Sequence, residues 1–507
     1  MFKSTQRCST LVCLLLSIVV TACTSPPDNN LRFGLGSAPV TLDPRFATDA
    51  SSERINRLLY QRLVDFGKTL LPVPALADWQ QLTPTHYRFT LRQSSHFHDG
   101  TPLTSADIKA TYDSVLDPAT ASPLRATLAM VDHITIPDAR TVDFFLNKPD
   151  VLFPGYLVLG ILPAHLINAG HAFQRQPVGS GPFAFVSWPE DGRLQLKRLS
   201  DGQGLEFLTV KDPTVRVLKL LRGEIDMLQN DLPPELVAYL KQNKDAQGQP
   251  LQVRKGRGSN FTYLGFNMRD PVVGKREVRL AIAHGIDRDA IIEHVFGGAA
   301  RKASALLPPD HWAGNPQLPQ YDYNPEQSRG LLATLGYSVD KPLTIIYKTS
   351  SDPFRLRLAT VIQSQLAAVG IHVVLRSYDW GTFYADIKAG NFQMYSLSWV
   401  GVHTPDVFRY VFDSESTPPQ GANRGRFSDR QVDVLIDEAQ QVPDLSRQAQ
   451  LYRQLQRRLF DRLPYVPLWY EDHVFVARQG VSGYGVNLDG NYDGLIKTTK
   501  THETSVN

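Results

Sequence analysis

His96 and His98, two residues apart and followed by Asp99, form the densest group of ligand-type side chains in the sequence (SSHFHDGTPLTSADI, 94–108). On a strand the two imidazoles share a face, the arrangement a metal ion or a proton relay would use. A zinc site, however, needs three or four ligands converging in space. No second histidine pair stands at ligand spacing: His284 and His294 are ten residues apart and His311 stands by itself. The other polar residues of the segment have local explanations. Asp99-Gly100 is a turn signal after an alternating strand, and Thr104 to Asp107 reads as a capping box with Thr104 at the N-cap and Asp107 at N3. The segment is therefore expected to be strand, turn and helix, with no metal bound.

Other catalytic patterns are weaker still. The sequence contains no G-x-S-x-G elbow, no P-loop and no H-E-x-x-H. GSGPF (179–183) is glycine-rich, but no lysine-bearing phosphate helix follows it, and FGLGSAP (33–39) lacks the third glycine of a dinucleotide fingerprint. The expectation is a protein that is not an enzyme and carries no cofactor.

The elements that must position any site are mixed α and β. SSERINRLLYQRLVDF places Ile55, Leu58, Leu59, Leu63 and Phe66 on one helical face. YRFTLRQ, TVDFFLN and FTYLGFN read as strands. TVRVLKLLRGEIDML reads as a helix stopped at Gly223 and followed by a strand through Ile225 and Met227. In IDRDAIIEHVFGG, Asp287 is the N-cap and a glycine pair is the stop. DPFRLRLATVIQSQLAAVGIHVVL is a helix ending at Gly370 and turning into a strand, an α/β unit. The last long helix is halted by Pro464.

The N-terminus carries Lys3 and Arg7 without an acid, then the apolar run LVCLLLSIVV (11–20), then VTACTS. A basic start, a short apolar stretch and small residues before a cut site describe a signal peptide over 1–22. Cys23 in the first mature position resembles the lipobox of bacterial lipoproteins, with 23–30 as a lipidated tether. Acyl chains on Cys23, each burying about 0.8 kcal/mol per methylene, would hold the protein on a membrane. The three cysteines are Cys8, Cys13 and Cys23, so the folded part holds neither disulfide nor thiolate metal site. From Cys23 onward the chain has 485 residues, too many for one core and enough for two or three domains. Lys and Arg exceed Asp and Glu there by one, which excludes the electrostatic footprint of a nucleic-acid binder.

The order of the motifs points further. LLYQRLVDF, LADWQQLTPTHYRFTLRQSSHFHDGTPLTSADI, PVGSGPF, LRGEIDM and YLGFNMRDPVVGKREVRLAIAHGIDRDAII follow one another. YDYNPEQSRGLLATLGY, IQSQLAAVGIHVVLRSYDWGTFYADIKAGNF and LPYVPLWY continue the series. The chain resembles, from about residue 31 to 480, the family 5 extracellular solute-binding proteins of ABC transporters, which include dipeptide- and oligopeptide-binding proteins. FHDGTPLT-x-x-D is the most specific single element of that resemblance.

The resemblance implies an α/β, two-lobed periplasmic-binding-protein (Venus-flytrap) fold with an extra subdomain in the first lobe. Lobe I would span 31–265 plus 476–500, with the inserted subdomain at about 72–185, and lobe II 266–475. The hinge would fall at Phe266-Asn267-Met268. It further implies the ligand-binding component of an ABC importer, a monomer that closes on a peptide or peptide-like solute and delivers it to a membrane permease. The location would be the periplasm or cell exterior, on the lipid bilayer through acylated Cys23. A receptor of the same fold for a chelated metal, a cell-wall fragment or an opine-like molecule is the alternative, and an exported enzyme a further one.

The ligand walls implied are ATDASS with Asp49 and Ser51, VGSG with Ser180 and Gly181, YDW with Tyr378 and Trp380, and SWVGVHTPDVF with Trp399, Val402, His403 and Asp406. NRGR (423–426) offers Arg424 for a ligand carboxylate through the guanidinium fork, or is a solvated basic turn. In peptide-binding members of the family the segment after the tryptophan reads Trp-x-x-Asp, and that aspartate pairs with the peptide ammonium. Here Val402 holds the position. Either another carboxylate, Asp49 or Asp406, takes the ammonium, or the natural ligand lacks one there.

Overall fold

A computed structural model describes residues 29–189 and 192–501; the segment expected to be a signal peptide, Cys23 and most of the expected tether lie outside the described residues. One sheet of 11 strands runs through the molecule. Its first part orders Phe183–Ser187, Arg193–Arg198, Gly204–Thr209, Leu31–Leu35 and Met227–Gln229; its last part orders Met394–Trp399, Leu343–Ser350 and Ile371–Tyr378. Two long antiparallel strands, Gln252–Phe266 and Tyr465–Ala477, join the parts.

The joining strands change partners midway, and the apolar cores on either side divide there. Val253, Val474 and Val476 pack with Leu220, Ile225 and Leu228 on the first side. Phe261, Tyr263 and Tyr470, on the second, pack with Phe408, Val432 and Leu455. Between them the register shifts from Gly256 opposite His473 to Asn260 opposite Glu471. A β-carbon on Gly258 would sit 2.0 Å from the Glu471 carbonyl oxygen, so only glycine permits the strands to approach so closely there. The joining strands thus pass from one apolar core to the other at 256–260 and 471–473. Phe266, in the expected hinge segment, is fully buried with Val278, Ile282 and Met394.

A four-stranded antiparallel sheet (Ala77–Thr83, His86–Leu91, Thr141–Leu146, Val131–Asp138) with the helix Ser105–Leu116 against it forms the extra subdomain. Its core runs from Leu63 to Ile161. Leu162, Phe173 and Phe183 already belong to the core of the large sheet, so the apolar boundary falls earlier than residue 185.

In SSHFHDGTPLTSADI, Ser95 and His96 pair with Leu103 and Pro102 around the Asp99-Gly100 turn, and Gly100 has φ +86°. Thr104 and Asp107 form the expected capping box. His98 faces the Gly181 carbonyl oxygen at 3.0 Å, and burial draws its pKa down. Among the described residues no three His, Cys, Asp or Glu side chains converge to hold a metal ion. No helix described is long and apolar enough to cross a membrane.

The helix expected from Ser51 to Phe66 ends sooner, at Leu59. The Gly181 N–H donates to the Leu59 carbonyl, and a β-carbon there would lie 2.4 Å from the Leu58 oxygen. That contact marks the end of the helix, after which Leu63 and Val64 enter the subdomain core and the strand Val64–Phe66 begins.

Candidate functional site, a cavity between the lobes

The helix Ala50–Leu59 carries two faces. Ile55, Leu58 and Leu59 are buried in the sheet core, and Glu53, Asn56 and Arg57, spaced i, i+3 and i+4, share another face. Asp49 starts the helix by accepting from the Ser52 N–H at 2.8 Å. Glu53, Asn56 and Arg57 line a cavity of about 370 Å³. Arg62 and Phe66 extend its wall, Gly155 and Tyr156 come from the subdomain, and Gly401, His403 and Thr404 close it from the second lobe.

The closing loop is seated firmly. The His403 ring lies 4.7 Å from that of Phe66, and its Nε2 is 3.6 Å from Asp489. The His403 carbonyl accepts from His311 Nε2 at 3.0 Å. A β-carbon on Gly155 would come within 3.1 Å of Thr404 Cγ2, so a side chain there would crowd the contact between lobes. Burial lowers the pKa of His403 against the opposing pull of Asp489, and burial takes that of His311 down to about 4. Both imidazoles are therefore neutral at neutral pH.

The charges of the cavity are unevenly satisfied. Arg57 bonds Asp65 at 3.1 Å and Asp493 at 2.5 Å, and these carboxylates outweigh burial and raise its pKa. Arg62 reaches Asp65 at 2.8 Å with Nη2, while its Nε and Nη1 have no partner. Burial, then the neighbouring Arg57 charge, lowers the pKa of Arg62. Asn56 is buried with both amide atoms unpartnered, and His403 Nε2 makes no hydrogen bond. Each such group costs about 1–3 kcal/mol until something bonds it. A solute presenting acceptors to Arg62 and both acceptor and donor to Asn56 would meet that need.

Of the residues expected from sequence at the ligand walls, His403 lines this cavity. Asp49 caps the helix through Oδ1, and its buried Oδ2 has no hydrogen-bond partner. Ser51 Oγ donates to the Ser37 carbonyl at 3.1 Å, and Ser180 Oγ accepts from the Gln61 N–H at 3.4 Å. Ser180 and Gly181 thus support the helix end behind the wall. Val402 packs against the apolar core of the second lobe. Tyr378 lies under the Lys348 ammonium; Trp380 is exposed and stacks on Tyr384 at 5.3 Å.

Asp406 begins the helix Val407–Phe412 and bonds Gln440. Its pKa is raised by burial, and Asp150 of the subdomain is pushed up to about 6, first by burial and then by Asp406. Arg424 is not in a solvated turn: it is 7 % exposed and lies 5.0 Å from the Trp399 ring. Asn56, Arg57, Arg62 and Phe66 are not among the residues expected there, although the i, i+3, i+4 spacing of Glu53, Asn56 and Arg57 is visible in the sequence.

The profile of the bacterial extracellular solute-binding proteins, family 5 (middle region), matches residues 71–419. The chain is similar to di/tripeptide-binding protein 2 of Pseudomonas aeruginosa, 28% identical over 93% of this chain and 95% of the relative. Among solved structures it is similar to the periplasmic binding protein DppA of Helicobacter pylori in complex with the peptide STSA. That likeness has a TM-score of 0.75 and 26% identity, over 93% of this chain and 98% of the other. It is also similar to the binding protein AgaA of A. tumefaciens R10 in complex with agropinic acid, with TM-score 0.75 and 26% identity over 93% and 99%. With the profile match spanning more than half its length, the chain belongs to the bacterial extracellular solute-binding proteins, family 5.

Proposed function

We propose that this protein is the substrate-binding component of an ABC importer, which captures a peptide or peptide-like solute between its lobes and presents it to a membrane permease. The observation that carries this reading is the interlobe cavity whose Asn56, Arg62 and His403 polar atoms lack partners. The relatives' named ligands, di- and tripeptides, the peptide STSA and agropinic acid, support the same solute class. The lobes act as bodies that close on the solute, an equilibrium biased by contacts made only in the closed form. No chemistry is performed on the solute.

The domain division proposed is 31 to about 258 plus the return from about 473 for lobe I, the remainder between them forming lobe II. Cys23 is the proposed lipid anchor, which places a monomeric protein at the periplasmic or outer face of a membrane. In a Cys23→Ser protein, lipid-dependent processing should stop and precursor accumulate; normal maturation with retained membrane binding defeats the anchor.

The central test is mass spectrometry of the solute released on denaturation, followed by titration of that solute. At 100 times its dissociation constant it should stabilise the fold by about 2.7 kcal/mol and reduce the radius of gyration. An unchanged radius at saturation would remove the closure mechanism, and turnover of the solute would remove the receptor reading.

A second reading, a solute without a free α-amino group, rests on the resemblance, which expects an acid where Val402 stands, although the Val402 side chain packs against the core of the second lobe. An ammonium buried against valine is unpaired, and loss of one partner of a buried pair costs about 3–5 kcal/mol, a hundredfold or more in affinity. Matched free and N-acetylated peptides compared by calorimetry separate the two. Submicromolar binding of the free peptide, abolished by acetylation and intact in both Asp49→Asn and Asp406→Asn, would defeat the second reading.

A further inference from the structure

In the second lobe the buried Arg424 has no carboxylate partner among the described residues and, unlike the buried Arg279 and Arg288, it donates to no backbone carbonyl there. Arg424 is more than nine-tenths buried. Its Nη1 donates to the Tyr263 phenol at 3.3 Å and its Nη2 to the Tyr384 phenol at 3.1 Å, and no carboxylate partners it among the described residues. The guanidinium lies 5.4 Å from the Tyr384 ring and 5.0 Å from the Trp399 ring, so cation–π attraction holds it in place. Two further phenols, Tyr395 and Tyr465, are buried beside it. Their hydroxyls make no hydrogen bond, nor does Trp399 Nε1. The ring of Tyr263 stacks on that of Tyr465 at 3.9 Å and meets that of Tyr395 edge-on at 5.9 Å.

The balance of hydrogen-bonding groups is lopsided. A guanidinium brings five N–H donors, the indole one and each phenol one, while the phenol oxygens are the acceptors these side chains supply. Such a group is short of acceptors and long on positive charge, the inverse of what a buried cation ordinarily finds. It also stands near the cavity. Trp399 ends the strand Met394–Trp399, whose continuation through Gly401, His403 and Thr404 forms the cavity wall. On the outer side the exposed Trp380 covers Tyr384 in parallel, 9° between planes, adding an aromatic surface beside the charge.

We propose that Arg424, with the phenols of Tyr263, Tyr384, Tyr395 and Tyr465 and the Trp399 indole, is an anion-recognising subsite, and that the transported solute carries a carboxylate or equivalent anionic group bound there. This rests on the reading that a solute is held between the lobes. Arg424 supplies charge and a planar fork for two oxygens; the phenols and indole supply single donors around it. Selection for acidic solutes follows, because a neutral isostere leaves the guanidinium as it is now, without an anion.

The test uses two probes on the full-length protein. Glutarate, followed by thermal unfolding, should raise the unfolding temperature saturably, whereas 1,5-pentanediol should not. Arg424→Gln should weaken the glutarate effect at least tenfold, and Tyr465→Phe, which removes one hydroxyl and keeps the cage, a few-fold. If Arg424→Gln does not fold, Arg424→Lys takes its place, keeping charge without the fork and losing part of the effect. In the second arm, Ala-Glu should bind at least tenfold tighter than Ala-Gln, and the preference should collapse in the Arg424 variant. A glutarate effect that is absent, or equal in wild type and Arg424 variant, overturns the subsite whatever the peptides do. Ala-Glu binding no tighter than Ala-Gln also overturns it. A glutarate effect lost in the variant, with neither dipeptide bound, upholds the subsite and counts against the peptide reading alone.

Discussion

Two arginine neighbourhoods, one lining the cavity between the lobes and one buried in the second lobe, solve the same problem differently. On the first lobe, Arg57 and Arg62 share Asp65, and Asp493 completes Arg57. On the second, Arg424 has aromatic faces and phenol oxygens and no carboxylate. Paired charges fix geometry, since removing one partner strands the other in a poorly solvated site. A cation held by rings keeps its charge available. The first neighbourhood therefore reads as a rigid wall with a few spare donors, and the second as a selector for what enters.

The sharpest way to break this contrast is to remove the shared carboxylate. Asp65→Asn should cost about 3–5 kcal/mol in denaturant unfolding, because it leaves Arg62 without an anion and Arg57 with only Asp493. A cost below 1 kcal/mol would mean that the wall is not held by its ion pairs.

Asp150 extends the comparison to a buried carboxylate for which burial and the Asp406 charge outweigh the nearby Lys148. Its folded pKa is pushed up to about 6, by burial and then by Asp406, so the folded state binds its proton more tightly than the unfolded chain. The stability contributed by this group is present at about pH 4 and lost as pH rises through about 6. Asp150→Asn should escape that loss. Relative to wild type it should gain about 2–3 kcal/mol at pH 7.5 compared with pH 4; a pH-independent difference would refute the burial assignment.

Arg424→Met removes a cation that strands no anion. Its cost should be about 1–2 kcal/mol, from lost ring contacts, and clearly less than that of Asp65→Asn. A larger loss would reveal a structural ion pair and turn the selector into a second wall. The smallest effect belongs to the histidines that first suggested chemistry. The double change His96→Ala with His98→Ala should cost about 1 kcal/mol, through the lost contact of His98 with the Gly181 carbonyl. Zinc titration of both proteins should show no stoichiometric binding; binding lost in the double variant would restore a metal site.

The local chemistry of the fold was legible because it is written in short range. The Thr104–Asp107 box, the Asp287 cap and the left-handed Gly223 each depend on residues within one turn. Apolar spacing likewise identified the buried face of the first helix. Its end at Leu59 was not legible, since the cap is the backbone of Gly181, more than a hundred residues away. The point at which the joining strands change partners is not legible for the same reason. FTYLGFN announces a strand, but the point at which its partner changes depends on Gly258 meeting the Glu471 carbonyl.

By itself the sequence determined the α/β class, the order of motifs that identifies the family, the absence of a catalytic signature, and Val402 in the acid position. Only the tertiary structure decided which polar groups matter. It assigned Asp49 to a helix cap, left Asn56 and the Arg62 donors without partners, and took Arg424 from a turn into an aromatic cage. Pairing and burial are properties of what surrounds a side chain, and here those surroundings come from segments far apart in the chain. Spacing along the sequence reports a helix face or a strand alternation, whereas the satisfaction of a charge is settled only when the lobes bring their loops together.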